Sequence, residues 1–282
     1  MTMIPQIEHY LARREAVFRA NHLHWQDLLA GRRLGPVQRA GAWAFTPVLD
    51  DSVAAGTFAC LSPALLRCGA EAAFVNQADR PLVVPLHLIC GGSPSLALSS
   101  ACLLAPRERL PLAGAAEVPA IGAPLALLPL ALRAAAWDLH AIEGAGKFAA
   151  ALLREPVQPC DTGGWPALLP GQTGLVVHRD GVWLGLELAP DAANWAVLHQ
   201  HVLRSYCLRP PLNPDPGLPG GLGLRLRWQR GIDRLADLRA GALAGQALWH
   251  GGQVAYASLF AYAWQYPQTK PPHLSDEGDV QR

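Results

Sequence analysis

Apolar and polar positions are most regular between residues 174 and 208. Leu175-Val176-Val177 and Val182-Trp183-Leu184-Gly185-Leu186 are apolar runs on either side of Asp180-Gly181, a dipeptide that supplies the positive φ of a tight hairpin turn. The spacing predicts a β-hairpin. Pro190 and Asp191 then mark a helix entry, with the Asp191 carboxylate placed to accept first-turn N–H groups that lack a partner within the helix. Trp195, Leu198, His199, Val202, Leu203 and Tyr206 recur at three- and four-residue spacing, so one stripe of this helix must be buried.

Upstream, short apolar runs are broken by Pro, Gly, Asn and Asp: Ala42-Trp43-Ala44-Phe45, Ala72-Ala73-Phe74-Val75, Leu82-Val83-Val84 and Ala101-Cys102-Leu103-Leu104. Such punctuation predicts strands. Ser62-Pro63, followed by an apolar run closing at Gly69, predicts a short helix with Ser as its cap and Pro in its first turn. Residues 124–154 read as helical, and residues 1–40 as a helical segment ending near Gly31-Arg32-Arg33 and Gly35-Pro36. Residues 156–172 and the Pro-rich stretch 210–221 read as loops. Leu222 to Trp228 alternates partway, as a strand with one wet face would. The expectation is an α+β protein: an N-terminal helical segment (1–40), a largely antiparallel mixed β-sheet domain with inserted helices (41–265), and a disordered tail (266–282).

Three blocks resemble a known family. The first runs from Val75-Asn76-Gln77 through Leu82-Val83-Val84 and Cys90-Gly91-Gly92 to Leu103-Leu104-Ala105-Pro106 and Arg109-Leu110-Pro111-Leu112. The second is Gly174 to Tyr206, with a helix ending in Leu203-Arg204-Ser205-Tyr206, and the third is Ala247 to Phe260. Together, over residues 40–262, they resemble the bacterial domain family associated with ADP-ribosylglycohydrolases and rhodanese-phosphatase proteins, whose biochemical function is undetermined. One departure stands out. Family members carry a Gly-x-Gln-x-Arg core and a later Cys-x-Glu-x-Gly-Arg-Trp segment, whereas this chain has Gly91-Gly92-Ser93-Pro94-Ser95-Leu96 and Ala116-Glu117-Val118-Pro119-Ala120-Ile121-Gly122 there. The resemblance therefore implies a divergent member without those polar groups.

Composition and charge narrow the partners. With 51% hydrophobic residues in 282, the chain can bury a sizeable core. Lys+Arg 23 against Asp+Glu 22 exert no global pull toward nucleic acid or anionic lipid, so neither nucleic acid nor membrane is expected as a partner. Charged residues scattered through positions 1–30 leave no signal-peptide centre, and Leu125 to Trp137, interrupted by Pro129 and Arg133, is shorter than the ~20 residues that span a bilayer. A cytoplasmic protein is expected. The six cysteines show no C-x-x-C spacing and read as reduced thiols; Cys160 alone falls in a polar loop context.

Catalytic signatures are absent: the sequence holds neither a G-x-S-x-G nor a G-x-x-x-x-G-K-[ST] string. Gly144-Ala145-Gly146-Lys147-Phe148-Ala149 matches G-x-G-x-x-A but follows a helix-like stretch, so a helix interruption explains it better than a dinucleotide turn. His22 with His24, and His199 with His201, diverge if helical, and no metal or other cofactor is expected. The candidate ligand-binding residues are Arg204, Ser205 and Tyr206 at the helix end, Glu187 and Trp183 on one parity of the second hairpin strand, and His250 at the closing hairpin. An Arg fork with nearby hydroxyls suits a phosphate or carboxylate. No catalytic residue is assigned. The expectation is a non-catalytic accessory or ligand-binding protein whose partner is another protein or a nucleotide-like small molecule. By resemblance, its setting is ADP-ribose or NAD metabolism or a bacterial conflict system; the alternative is an enzyme on nucleotide-derived phosphates.

Overall fold

The computed structural model describes residues 22–50, 56–62, 66–68, 73–90, 95–98, 100–111, 115–118, 125–128, 133, 164–206, 222–227, 234–240 and 243–261. In chain order the first elements are β1 (His22–Leu23), a 3₁₀ turn (Trp25–Leu29), β2 (Arg33–Leu34), β3 (Gln38–Ala40) and β4 (Trp43–Leu49). Short strands follow: β5 (Leu66–Cys68), β6 (Ala73–Asn76), β7 (Leu82–Val84), β8 (Leu88–Cys90), β9 (Ser95–Leu98), β10 (Cys102–Leu104), β11 (Arg109–Pro111), β12 (Ala115–Val118) and β13 (Leu125–Leu127). The last part holds the longest elements: β14 (Gln172–Arg179), β15 (Val182–Leu188), helix α1 (Ala192–Tyr206), β16 (Leu222–Arg227), β17 (Arg234–Ala240), β18 (Leu243–His250) and β19 (Gln253–Ala261).

Ten of these strands form one antiparallel sheet in the order β1-β16-β17-β18-β19-β15-β14-β4-β2, with β3 also on β4. The β14–β15 hairpin turns at Asp180 (φ 51°) and Gly181 (φ 79°), the left-handed pair its sequence demanded. The closing β18–β19 hairpin does the same with Gly251 and Gly252. The remaining strands make sheets of two, three and four strands, and one apolar cluster joins them to the large sheet.

The large sheet must curl. Its ends, β1 and β2, stand eight strand spacings apart, roughly 38 Å if flat. The segment from Leu23 to Arg33 that joins them contains a five-residue 3₁₀ turn and reaches about 30 Å at most. Arg32 fastens this strap in mid-sheet, donating from Nη2 to the carbonyls of Ala189 (3.3 Å) and Val254 (2.9 Å).

The helix entry is built as its sequence implies. Asp191 Oδ1 accepts from the Asn194 backbone (2.8 Å) and side-chain amide (3.0 Å), and Asn194 Oδ1 accepts from the Leu61 N–H (3.0 Å), tying α1 to the 56–62 segment. Every residue of the apolar stripe is buried, Tyr206 included.

Several expectations are corrected. The described part of residues 1–40 is strand, 3₁₀ turn and strand, because its backbone pairs with β16 at one sheet edge and with β4 at the other; residues 1–21 of the expected helical segment lie outside the described residues. His22 lies in β1 and His24 caps the 3₁₀ turn, so neither is on a helix. Within the expected helix at 62–69, Leu66–Cys68 is β5, pairing with Asn76, Val75 and Phe74. Within the expected helix at 124–154, Leu125–Leu127 is β13, pairing with β8, whereas Arg133 is helical as expected. In both places a neighbouring strand edge overrides a weak local preference. The Gly91-Gly92 pair, the Gly144–Ala149 string, Cys160, Cys207, the loop 210–221 and the tail 266–282 lie outside the described residues.

Gly185 is a packing requirement: a Cβ there would stand 2.0 Å from Tyr206 Oη and 2.6 Å from the Leu259 carbonyl. Gly185→Ala is therefore expected to lower stability by about 2 kcal/mol or more, since the helix must lift off the strand. Urea denaturation measures this; an unchanged midpoint would show that α1 is not held as closely as described.

Candidate functional site

Register partners in an antiparallel sheet share a face, and here they align a transverse polar row. Asp237 on β17 pairs Gln246 on β18, Gln246 pairs Ser258 on β19, and Ser258 pairs Glu187 on β15. All four are buried. On the β17 side the backbone register continues to Arg225 of β16. Polar side chains in the centre of a covered sheet need partners, because each unmade hydrogen bond there costs about 1–3 kcal/mol.

The partners come from within the row and from the layer above. Gln246 donates to Asp237 Oδ1 (2.8 Å), while its Oε1 accepts from the Ala101 N–H (2.8 Å) and the Ser100 hydroxyl (3.2 Å). Tyr256, two residues before Ser258, accepts from the Leu86 N–H (3.0 Å). Glu187 Oε1 accepts from Arg133 Nη1 (2.6 Å) and from Tyr206 Oη (2.9 Å), and Arg133 Nη2 donates to Ser258 Oγ. The Arg133 guanidinium also lies 4.6 Å above the Phe260 ring, whose centroid is 5.7 Å from that of His87. His87 holds a positive φ of 60°, and its carbonyl accepts from the Leu128 N–H.

Electrostatics reinforce these contacts. Burial works against the Arg133 charge, but the Glu187 carboxylate, helped by Tyr206 and Tyr256, outweighs it and holds the guanidinium protonated. Burial, followed by the Glu187 charge, pushes both Tyr206 and Tyr256 above the ordinary tyrosine range. Tyr206 thus keeps the proton it donates. Cys102 and Cys60 are unsuited to nucleophilic chemistry: burial and Glu108 push Cys102 up to about 12, and burial and Asp191 raise Cys60.

Of the residues proposed from sequence, the structure brings Glu187 and Tyr206 together and disperses the rest. Arg204 is exposed on the last turn of α1, and Ser205 is buried with its hydroxyl on the Val202 carbonyl (2.7 Å). Trp183 is buried, and its indole N–H meets no acceptor. Trp183 does not share the parity of Glu187: Val177 pairs Gly185 while His178 pairs Trp183, so Leu184 is skipped and alternation breaks. His250 is half-buried at the end of β18, edge-on to Phe58 at 5.6 Å, and its neighbour Trp249 lies under the Arg234 guanidinium at 4.3 Å. Sequence reasoning missed Arg133, Ser258, Gln246 and Asp237. Each interrupts an apolar run, and that was the available signal.

Among the described residues, no group of three or more His, Cys, Asp or Glu could hold a metal ion, and no helix is long and apolar enough to cross a membrane. The arrangement defines an antiparallel, sheet-dominated α+β protein with an internal polar row. Comparison with protein-family models, with curated proteins and with solved structures finds no match to this chain.

Removing one member of a buried ion pair strands the other. Glu187→Ala is expected to cost roughly 3–5 kcal/mol of folding stability, and Glu187→Gln less, because the amide oxygen still accepts from Tyr206. Equilibrium denaturation of both variants checks the order. If Glu187→Ala costs less than about 1 kcal/mol, the pair is not a principal tie.

A pH dependence also follows. Burial lowers the pKa of His199 below its ordinary 6.5, with His178 and His201 displaced the same way. A folded pKa below the unfolded one means that the unfolded chain binds protons first, so the stability present above 6.5 is lost as pH falls through and below that value. His199→Gln is expected to flatten the thermal-stability profile between about pH 7 and pH 5. An equal slope in that variant would assign the dependence to other groups.

Proposed function

We propose that this protein is a non-catalytic accessory or ligand-binding protein. It is a divergent relative of the ADP-ribosylglycohydrolase- and rhodanese-phosphatase-associated domain family, acting in the cytoplasm in ADP-ribose or NAD metabolism or in a bacterial conflict system. The observation carrying the non-catalytic reading is the closure of the polar row: Glu187 is 3% exposed and Arg133 0%, and the two are spent on each other, on Tyr206 and on Ser258. A general acid, base or anion clamp must reach a substrate, and these groups face inward. The enzyme alternative requires Arg204 and Glu187 at one site, yet Arg204 is exposed on the helix surface while Glu187 is buried beneath α1. The metabolic setting rests on the sequence resemblance, with a nucleotide-like molecule or a protein as the partner.

Thermal shift with ADP-ribose, NAD and nucleotide phosphates, followed by analysis of the recovered compound, tests this. The expected outcome is a saturable rise in melting temperature with ADP-ribose, recovered unchanged. Turnover would overturn the non-catalytic reading; absence of any shift at millimolar concentration would remove the nucleotide ligand and leave a protein partner. Because Arg204 is exposed, Arg204→Ala should change stability by no more than about 0.5 kcal/mol, so a lost shift in that variant reports a lost ligand contact.

A further inference from the structure

The receiving half of the Arg133 contact is complete without Arg133. Glu187 and Ser258 are fixed opposite each other by the β15–β19 register, and Phe260 lies two residues along the same strand. Tyr206 comes from α1, is admitted over the strand by Gly185, and orients the Glu187 carboxylate through its hydroxyl. These groups present a charged acceptor, a hydroxyl acceptor and an aromatic face. That combination suits a planar cation with two forked N–H groups, stacked on a ring. Arg133 engages it end-on: both Nη atoms are bonded, whereas the buried Nε has no hydrogen-bond partner. The contacts used are therefore only those that a terminal –C(NH₂)₂⁺ group provides.

We propose that Glu187, Ser258, Tyr206 and Phe260 form a preformed guanidinium receptor on the covered face of the sheet, filled in this structure by the chain's own Arg133. Such a receptor takes a free guanidinium or amidinium cation when Arg133 is absent or displaced. In the intact chain a free ligand competes with a tethered one, and its apparent affinity falls by the fraction of receptor that Arg133 leaves open. The proposal rests on these contacts alone and is independent of the nucleotide-related reading; failure of ADP-ribose to bind leaves it standing.

The test is chemical rescue of Arg133→Ala by ethylguanidinium chloride at low millimolar concentration, with ethylammonium chloride and urea as controls. The variant should show a saturable rise in melting temperature of about 5 °C at ~100-fold excess over the dissociation constant. The wild type should respond at least about tenfold more weakly, and Arg133→Ala combined with Glu187→Gln should not respond. If Arg133→Ala does not fold alone, refolding with ethylguanidinium reads the same site, and recovery of a cooperative transition supports the receptor. No rescue, or equal rescue by ethylammonium or urea, overturns it: the pocket then exists only while Arg133 fills it.

Discussion

A carboxylate in the middle of a sheet covered on both faces persists only if its charge is met locally, and Glu187 is met twice through one oxygen, by the Arg133 guanidinium and the Tyr206 hydroxyl. Much of the architecture serves that condition. The β15–β19 register sets Ser258 beside it, the small residue at Gly185 lets the helix approach, and the stripe of α1 ends with the tyrosine at the required height. The same contacts hold residue 133 against the sheet and anchor the C-terminal turn of α1.

A buried ion pair is an uncertain source of net stability, because apolar residues of the same shape often serve as well. The polar row contributes registration. A one-residue slip of an antiparallel strand sends its side chains to the opposite face. In an apolar sheet rich in Ala and Leu such a slip is weakly opposed. Here a slip of β19 would remove Ser258 from Arg133 and Tyr256 from Leu86, and a slip of β18 would strand Gln246 away from Ala101 and Asp237. The row gives a repetitive sequence a single alignment.

Sequence pattern carried the β14–β15 hairpin and the helix well because their signals are local. Asp180-Gly181 can take the left-handed turn, Asp191 can cap, and Trp195 to Tyr206 repeat with helical spacing whatever surrounds them. Short elements were less legible. Leu66–Cys68 and Leu125–Leu127 became strands because β6 and β8 offered them edges, which lie outside their own sequence. Glu187 and Tyr206 were both identifiable as polar groups in apolar surroundings, but their meeting depends on where the end of α1 comes to lie over the sheet. Arg133 registered only as a break in an apolar stretch. A buried arginine demands an anion, and pairing that demand with the matching one from Glu187 was the inference available from the residues.

The curl of the sheet and the polar row converge on one strand. The strap from β1 to β2 is bonded to Val254 near the start of β19 through Arg32, and Tyr256, Ser258 and Phe260 follow it at alternate positions. One end of β19 is thus tied to the segment that brings the sheet edges together, and its centre is tied to Leu86, Arg133 and Glu187 in the covering layer. A strand of a flat, two-sided sheet can shift with little consequence beyond its immediate neighbours. Displacing β19 disturbs the strap, the register and the buried charge together, which makes it the element whose alignment decides whether the rest of the fold can close.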